Sequence, residues 1–364
     1  MYISEIQLAG FRNIQSAGIK FSSGINILYG DNAQGKTNIL ESIYVCATGR
    51  SYRTKVDSQL ISFNQKEAHI KAFIEKEKVK DRVDVHIRGD KKKGIAINGI
   101  PIKKSVDLFG TLFVVIFSPE DLQLIKSSPI ERRRFIDMEM CQLSSVYYYD
   151  LQQYYKILKQ RNNLLKEIPK KSKLRDTVSV WDVQLIEYGK KIIENREKFI
   201  EHINNIAGKI HSSISENKEN LEIHYKPNSL AKDYAKRIKN SLEKDIFYGS
   251  TSYGPHKDDT MFCVNGEDVR VYGSQGQQRT AALSAKLAEV EIIKEKTGNF
   301  PILLLDDVLS ELDEKRQFFL LDRVKEKQTI ITCTGIEDTI KKYVEKSFIF
   351  NVKNGELIME NKSW

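Results

Sequence analysis

The sequence predicts an α/β nucleotide-binding fold built from two lobes, residues 1–117 and 249–364, with a helical arm of residues 118–248 inserted between them. Three observations predict it. A glycine-rich loop, Gly30-Asp31-Asn32-Ala33-Gln34-Gly35-Lys36-Thr37, stands between a short apolar run and an amphipathic one. An aliphatic run, Pro301-Ile302-Leu303-Leu304-Leu305, ends far down the chain in Asp306-Asp307. Between them lie two long stretches whose apolar residues recur at heptad-like steps.

Residues 1–29 read as three strands: Tyr2 to Leu8, Gly18 to Phe21, and Ile25 to Tyr29, which enters the loop. Arg12, between the first two, is open between a nucleotide contact and a solvated surface position. The loop fits G-x-x-x-x-G-K-[ST], and Leu40, Ile43 and Ala47 mark a helix after it. Its glycines let successive N–H groups and the helix N-terminus face an anion. Lys36 is expected to reach the β- and γ-phosphates of a nucleotide, and the Thr37 hydroxyl to ligate Mg²⁺. A basic loop follows, with Arg50, Arg53 and Lys55.

His69 to Glu75, Val83 to Ile87, Ile95 to Ile97 and Leu112 to Phe117 are further strand candidates, with turns at Arg88-Gly89-Asp90 and Asn98-Gly99. Lys91-Lys92-Lys93 sits at a turn tip, open between a solvated loop and a phosphate contact. Ser128-Pro129-Ile130-Glu131 reads as a capping box with proline at the first helical position. Leu151, Tyr154, Leu158, Leu165 and Ile168, and then Ile186, Ile193, Ile200, Ile203 and Ile210, predict an antiparallel helical hairpin whose stripes form its own core.

The second lobe opens at Tyr253-Gly254-Pro255-His256-Lys257-Asp258-Asp259, where His256 reads as a hydrogen-bonded structural residue rather than a catalytic one. Gly273-Ser274-Gln275-Gly276-Gln277-Gln278-Arg279 places Ser and Gly at a helix N-terminus. That segment is open between an ordinary serine cap and a second anion site for a neighbour's nucleotide. The run into Asp306 suits a central parallel strand. Asp306 is expected to hold the Mg²⁺ shell and Asp307 to orient or deprotonate the attacking water. Asp313 caps one more helix, and Thr329 to Thr334 makes another core strand.

The chain has 364 residues, 40% hydrophobic and 29% charged, enough for two or three globular domains. Its net charge of +9 makes a polyanion a plausible partner. Cys46, Cys141, Cys263 and Cys333 are scattered without a C-x-x-C pair, which argues against a zinc site and against a disulfide framework. With no signal-peptide pattern, and apolar runs too short to cross a bilayer, a cytoplasmic protein with no membrane partner is expected.

Taken together these segments resemble the ABC-type ATPase heads of the SMC/Rad50 group, in particular its branch in recombinational DNA repair. Gly30 to Asn38 is similar to that group's P-loop. Phe117-Ser118-Pro119-Glu120-Asp121-Leu122 and Glu131-Arg132-Arg133-Arg134-Phe135 are similar to its entry into the arm. Gly273 to Arg279 is similar to its signature motif, and Leu305 to Asp313 to its Walker B strand and D-loop. The resemblance covers essentially the whole chain.

It implies ATP and Mg²⁺ as cofactors, with Arg12, Gly30 to Gly35, Lys36, Thr37 and Asn38 around ATP, and Lys36, Asp306 and Asp307 serving hydrolysis. Ser274, Gln275, Gly276 and Gln277 would close over the partner's ATP, with Ser310 and Asp313 in the D-loop. It implies a weak, DNA-stimulated ATPase that dimerises head to tail on duplex DNA near single-strand gaps. Such a protein helps load RecA with RecO and RecR and contributes to the SOS response. Basic candidates for DNA are Arg50, Arg53, Lys55, Lys91, Lys92 and Lys93. One departure is Lys257, where the group is expected to carry arginine; lysine lacks the bidentate fork.

Competing readings are a transporter's ATP-binding subunit, a full coiled-coil SMC tether, another DNA-maintenance ATPase of the same group, and an ATP-gated DNA scaffold without turnover. The Ser-Gln-Gly-Gln-Gln signature, the Asp-Asp strand end and Thr334 near the usual switch histidine argue against the transporter. An insert of residues 118–248 allows one short hairpin rather than an extended coiled coil.

Overall fold

The structure is a computed structural model describing residues 1–76, 79–335 and 347–359. It has two compact units, Met1–Asp121 with Glu289–Trp364, and Leu122–Ala288. The division falls inside a helix, at Ala288, whereas the sequence predicts a boundary near residue 249.

The first unit begins with β1 (Tyr2–Phe11), β2 (Ile14–Lys20), β3 (Ile25–Tyr29), α1 (Lys36–Thr48), β4 (Glu67–Glu75), β5 (Lys80–Arg88), β6 (Gly94–Ile97), β7 (Ile100–Pro101) and β8 (Val114–Phe117). Alternation decides which strands share a sheet. In β4, Ala68, Ile70, Ala72 and Ile74 are buried while Glu67, His69, Lys71 and Phe73 turn outward. Strands of this kind form an antiparallel sheet in the order β2-β1-β4-β5-β6-β7. The Asn98-Gly99 turn joins β6 to β7 with both φ positive, 53° and 82°, as a two-residue hairpin turn requires.

The second unit holds α2 (Gln123–Lys126), α3 (Pro129–Leu143), α4 (Ser145–Glu167), α5 (Val178–Ile214), β9 (Leu221–Lys226), α6 (Ala231–Asn240), α7 (Leu242–Tyr248), β10 (Asp259–Val264), β11 (Glu267–Asp268), α8 (Val269–Tyr272) and the start of α9 (Gln275–Thr297). Helices α4 and α5 make the expected antiparallel hairpin. Arg161 pairs with Asp182 at 2.6 Å near one end, and Arg196 reaches the Tyr147 hydroxyl at 3.2 Å near the other. The buried stripe of α5 differs from the predicted one at its start. Leu185, Gly189 and Ile192 are buried where Ile186 is only half-buried. A straight helix of 3.6 residues per turn drifts from a strict seven-residue repeat, so the contact row slides by one position.

Two arginines weld this unit from inside. Arg196 is 1% exposed and bonds Asp137, Asp258 and the Pro255 carbonyl, at 2.8, 3.0 and 2.6 Å. Arg161, fully buried, bonds Asp182, Asp245 and Thr251. Strand β10 pairs with β9 throughout, Asp259 opposite Lys226 and Val264 opposite Leu221. That pairing, with the Arg196–Asp258 bond, is why residues 249–288 pack with the arm and not with the nucleotide sheet. The expected capping box at Ser128 does not form. Pro129 does open α3, but the Ser128 side chain makes no cap bond, and Glu131 turns to Arg134 at 3.6 Å.

The chain returns to the first unit with β12 (Ile302–Asp306), α10 (Glu314–Val324), β13 (Thr329–Cys333), β14 (Phe348–Lys353) and β15 (Glu356–Met359). The second sheet has the order β15-β14-β3-β13-β12-β8, parallel except for β15. Strands β3 and β8 therefore leave their sequence neighbours for a sheet formed mostly by the C-terminal part. Unbroken burial explains it. All four residues of β8 and all five of β12 are buried, the pattern of a parallel sheet covered on both faces. Helix α1 packs against β1, β4 and β5 on one side and β8, β12 and β13 on the other. Almost every residue of it from Ile39 to Thr48 is buried, so it shows no single apolar stripe.

Candidate active site

The P-loop sits between β3 and α1, and two of its glycines are required. Gly30 has φ +147°, and a Cβ there would meet the Val352 carbonyl at 2.4 Å. Gly35 has φ +113°, and its Cβ would meet Asn13 Oδ1 at 2.8 Å. No side chain caps α1, so its first turn presents backbone N–H groups as a helix-end anion site does. Asp31, Asn32 and Ala33 are exposed along the loop. Gln34 is tied to the β14–β15 turn, accepting from Asn354 N at 2.6 Å and Gly355 N at 2.9 Å.

Lys36 is 7% exposed and donates to the Gly30 and Asp31 carbonyls at 2.6 and 2.8 Å. Burial pulls its pKa down, opposed first by the nearby Asp307 carboxylate. An ammonium hydrogen-bonded to two backbone carbonyls, in a loop open to an anion, suits a polyphosphate. The sheet brings the second motif beside it, because β13 alone separates β3 from β12. Thr37 donates to Asp306 Oδ1 at 2.8 Å, across 269 residues of sequence. A hydroxyl and a carboxylate at this distance are an oxygen donor set suited to Mg²⁺.

Asp306 has two further partners that sequence reasoning missed. Thr332 on β13 donates to Oδ1 at 3.0 Å and Tyr52 to Oδ2 at 2.9 Å. Burial, then the Asp306 charge, push the Tyr52 phenol far above its ordinary value, so it remains a donor. Asp307 adopts φ +53°, a left-handed conformation uncommon for a side-chain-bearing residue, and its N–H donates to Thr332 Oγ1 at 2.9 Å. Ser310 donates to the Asp307 carbonyl at 2.7 Å. Asp313 caps α10 as expected, accepting from Arg316 N at 3.0 Å.

Glu41 on α1 is the other unforeseen residue. Its fully buried carboxylate accepts from Arg12 at 2.7 and 2.9 Å, from Ser51, and from Arg53 at 3.4 Å. Arg12 is thus held in place, with its side chain still 20% exposed. It lines an open cleft with Asn13, Asn38 and Arg53 beside the P-loop. Asn38 donates to Asn13 at 2.8 Å and accepts from Arg53 at 2.9 Å. Of the basic candidates, Arg50, Lys55, Lys91 and Lys92 are exposed, whereas Lys93 is drawn onto Asp57 at 2.7 Å.

The signature segment lies in the second unit. Ser274 and Gln277 form a reciprocal capping box: the Gln277 N–H donates to Ser274 Oγ at 3.2 Å, and the Ser274 N–H to Gln277 Oε1 at 2.9 Å. Ser274 and Gln275 are exposed and Gly276 half-buried, while Gln277 also donates to Glu219 at 2.9 Å. His256 is structural, as expected. Its Nδ1 meets the Tyr154 hydroxyl at 2.6 Å and its Nε2 the Thr251 carbonyl at 3.1 Å. Burial lowers its pKa to about 4, leaving it neutral near pH 7. Lys257 beside it is exposed.

A strand–loop–helix phosphate cradle, with an Asp-Asp strand one place removed in a parallel sheet and an inserted helical arm, defines a P-loop ATPase head of the ABC type. Residues 2–357 match the RecF/RecN/SMC N terminal domain. The chain belongs to the RecF family within that group. It is 50% identical over 355 residues to the DNA replication and repair protein RecF of Lachnoclostridium phytofermentans, covering 98% of this chain and 99% of that one. It is 49% identical to RecF of Lachnospira eligens, covering 99% and 100%. A solved structure of the recombination mediator protein RecF-ATPrS in the RecFOR pathway matches at TM-score 0.92 and 36% identity, over 99% of this chain and 98% of that one. The Smc head domain of Pyrococcus furiosus matches at TM-score 0.58 and 18% identity, over 99% and 96%, a likeness of fold.

Proposed function

We propose that this chain is an ATP-dependent DNA-binding protein of recombinational and replication-gap repair, with slow ATP hydrolysis as its clock. The observation that carries the reading is the 2.8 Å contact between Thr37 and Asp306, which joins two motifs from opposite parts of the chain at one phosphate cradle. Its likeness to RecF with a bound ATP analogue supports ATP as the nucleotide.

In this reading Gly30 to Gly35 and the first turn of α1 bind the phosphates, and Lys36 exchanges carbonyl partners for phosphate oxygens. Thr37 and Asp306 would hold Mg²⁺, which supplies charge neutralisation between the phosphates. Asp307 orients the attacking water, and Asn13, Asn38 and Arg12 face the nucleotide from the cleft. Ser274 to Gln277 close over the ATP of a second copy, with Ser310 and Asp313 at that junction, so ATP holds a head-to-tail dimer together on DNA. DNA near single-strand gaps, RecR with RecO, and RecA loading follow as partners and outcome, with the SOS response downstream. Turnover measured with and without gapped DNA tests the enzyme; ATP binding with no turnover in either case would favour the scaffold reading.

Tyr52 acts as a positioning residue. Removing its hydroxyl takes away a bond that fixes one oxygen of the buried Asp306 carboxylate, so Tyr52→Phe should raise the half-saturating Mg²⁺ concentration about fivefold. Nucleotide affinity without Mg²⁺ should stay unchanged. Equal Mg²⁺ titrations in both proteins would remove the role.

DNA contact should be phosphate-dominated, since the net charge is +9 and no base-reading motif is present. The log–log slope of affinity against salt should then be about 0.9 per phosphate contacted. Charge reversal at Lys91 and Lys92 should lower that slope. Salt-insensitive binding would contradict the phosphate reading.

A further inference from the structure

We propose that Glu67, His69 and His86 form a binding site for a divalent transition-metal ion, Zn²⁺ by ligand chemistry, on the outer face of the antiparallel sheet. The site is separate from the nucleotide cradle. His69 on β4 and His86 on β5 stand directly opposite each other in the strand register. Their rings stack with centroids 4.0 Å apart and planes 20° from parallel. Both aim Nε2 at one carboxylate: Glu67 Oε2 lies 2.8 Å from His86 and Oε1 3.4 Å from His69. One atom from each of the three residues falls within 4.8 Å of the others.

The surroundings leave this cluster accessible. In the same row of the sheet small residues flank the pair, Ala9 beside His69 and Gly94 beside His86, and the two histidine side chains stay 44% and 33% exposed. Arg88 is the register partner of Glu67, yet both carboxylate oxygens face the imidazoles. Two imidazoles and one carboxylate with a solvent side make a three-ligand set with a fourth position for water, the pattern of open zinc sites. Imidazole selects Zn²⁺, Cu²⁺ or Ni²⁺ over Mg²⁺ and Ca²⁺, which prefer oxygen throughout. Zinc bonds of about 2.0–2.1 Å place tetrahedral ligand atoms about 3.3 Å apart, within small rotamer adjustments of the distances here. The ion takes the place of the direct contacts between Glu67 and the two imidazoles, and cross-links β4 to β5.

Calorimetry of the nucleotide-free full chain with saturating Mg²⁺, titrated with Zn²⁺, tests this. One Zn²⁺ equivalent is expected, weakened at least about tenfold in His86→Ala and in Glu67→Gln. On the unmutated protein, Co²⁺ should shift the imidazole NMR signals of His69 and His86 together and leave the remaining histidines in place. No uptake at several-fold molar excess of Zn²⁺, or an isotherm unchanged in the His69→Ala, His86→Ala double variant, would overturn the site. So would Co²⁺ shifts confined to other histidines.

Discussion

ATP affinity is expected to fall at least about a hundredfold in Lys36→Ala, because the ammonium supplies two or more bonds to charged oxygens at about 1.5–3 kcal/mol each. Its setting sharpens the expectation. Lys36 is buried, and burial lowers its pKa, so its charge lacks full solvation until a polyanion arrives. The Asp306→Asn protein is expected to bind ATP within a few-fold of normal and to lose turnover, since Asp306 contacts the Thr37 hydroxyl at the Mg²⁺ position and not the Gly30–Gly35 backbone. Equilibrium binding of a fluorescent ATP analogue, read beside phosphate release, separates the two. Unchanged binding in Lys36→Ala would remove the cradle assignment altogether.

The second large effect is expected at Ser274. Ser274→Arg should bind ATP almost normally, stay monomeric with ATP, and lose both turnover and stable DNA binding. The capping box adds a structural cost that needs its own control. Replacing the serine removes a helix cap worth about 1 kcal/mol. Ser274→Asp keeps a capping side chain but sets a negative charge where a γ-phosphate of the second copy would lie. Both variants should fail to dimerise in sedimentation, although only Ser274→Arg loses the cap. A normal ATP-dependent dimer in Ser274→Arg would sink the shared-nucleotide reading. Failure of Ser274→Arg alone would assign its effect to the helix rather than to phosphate.

The phosphate cradle was legible in the sequence because its parts are contiguous and its spacing is fixed by backbone geometry. The Asp306-Asp307 strand was legible because continuous burial leaves an unbroken aliphatic run. Tyr52 was not, since an isolated aromatic in a basic loop gives no sign of the strand end it reaches. Nor was Glu41, whose partners Arg12, Ser51 and Arg53 come from outside its own helix. The arm's hairpin was predicted from periodicity, but its buried row slid to Leu185 and Ile192, since a seven-residue count only approximates the helix. The boundary near residue 249 missed for a different reason. Nothing local announces that β10 pairs with β9, or that Arg196 reaches Asp258.

The position of β3 has a consequence for how the chain comes off the ribosome. Its two sheet neighbours are β13 and β14, residues 329–333 and 348–353. When the phosphate loop is translated, neither flank of the strand that carries it exists. Pairings so distant in sequence form slowly and leave apolar surface exposed meanwhile. Helix α1, buried nearly all round in the finished fold, must wait with one face uncovered until β12 and β13 arrive. A message truncated before codon 329 would yield a chain with the loop sequence intact and neither strand that flanks β3. The strand that carries the phosphate loop is therefore expected to gain both neighbours only after β14 has been made.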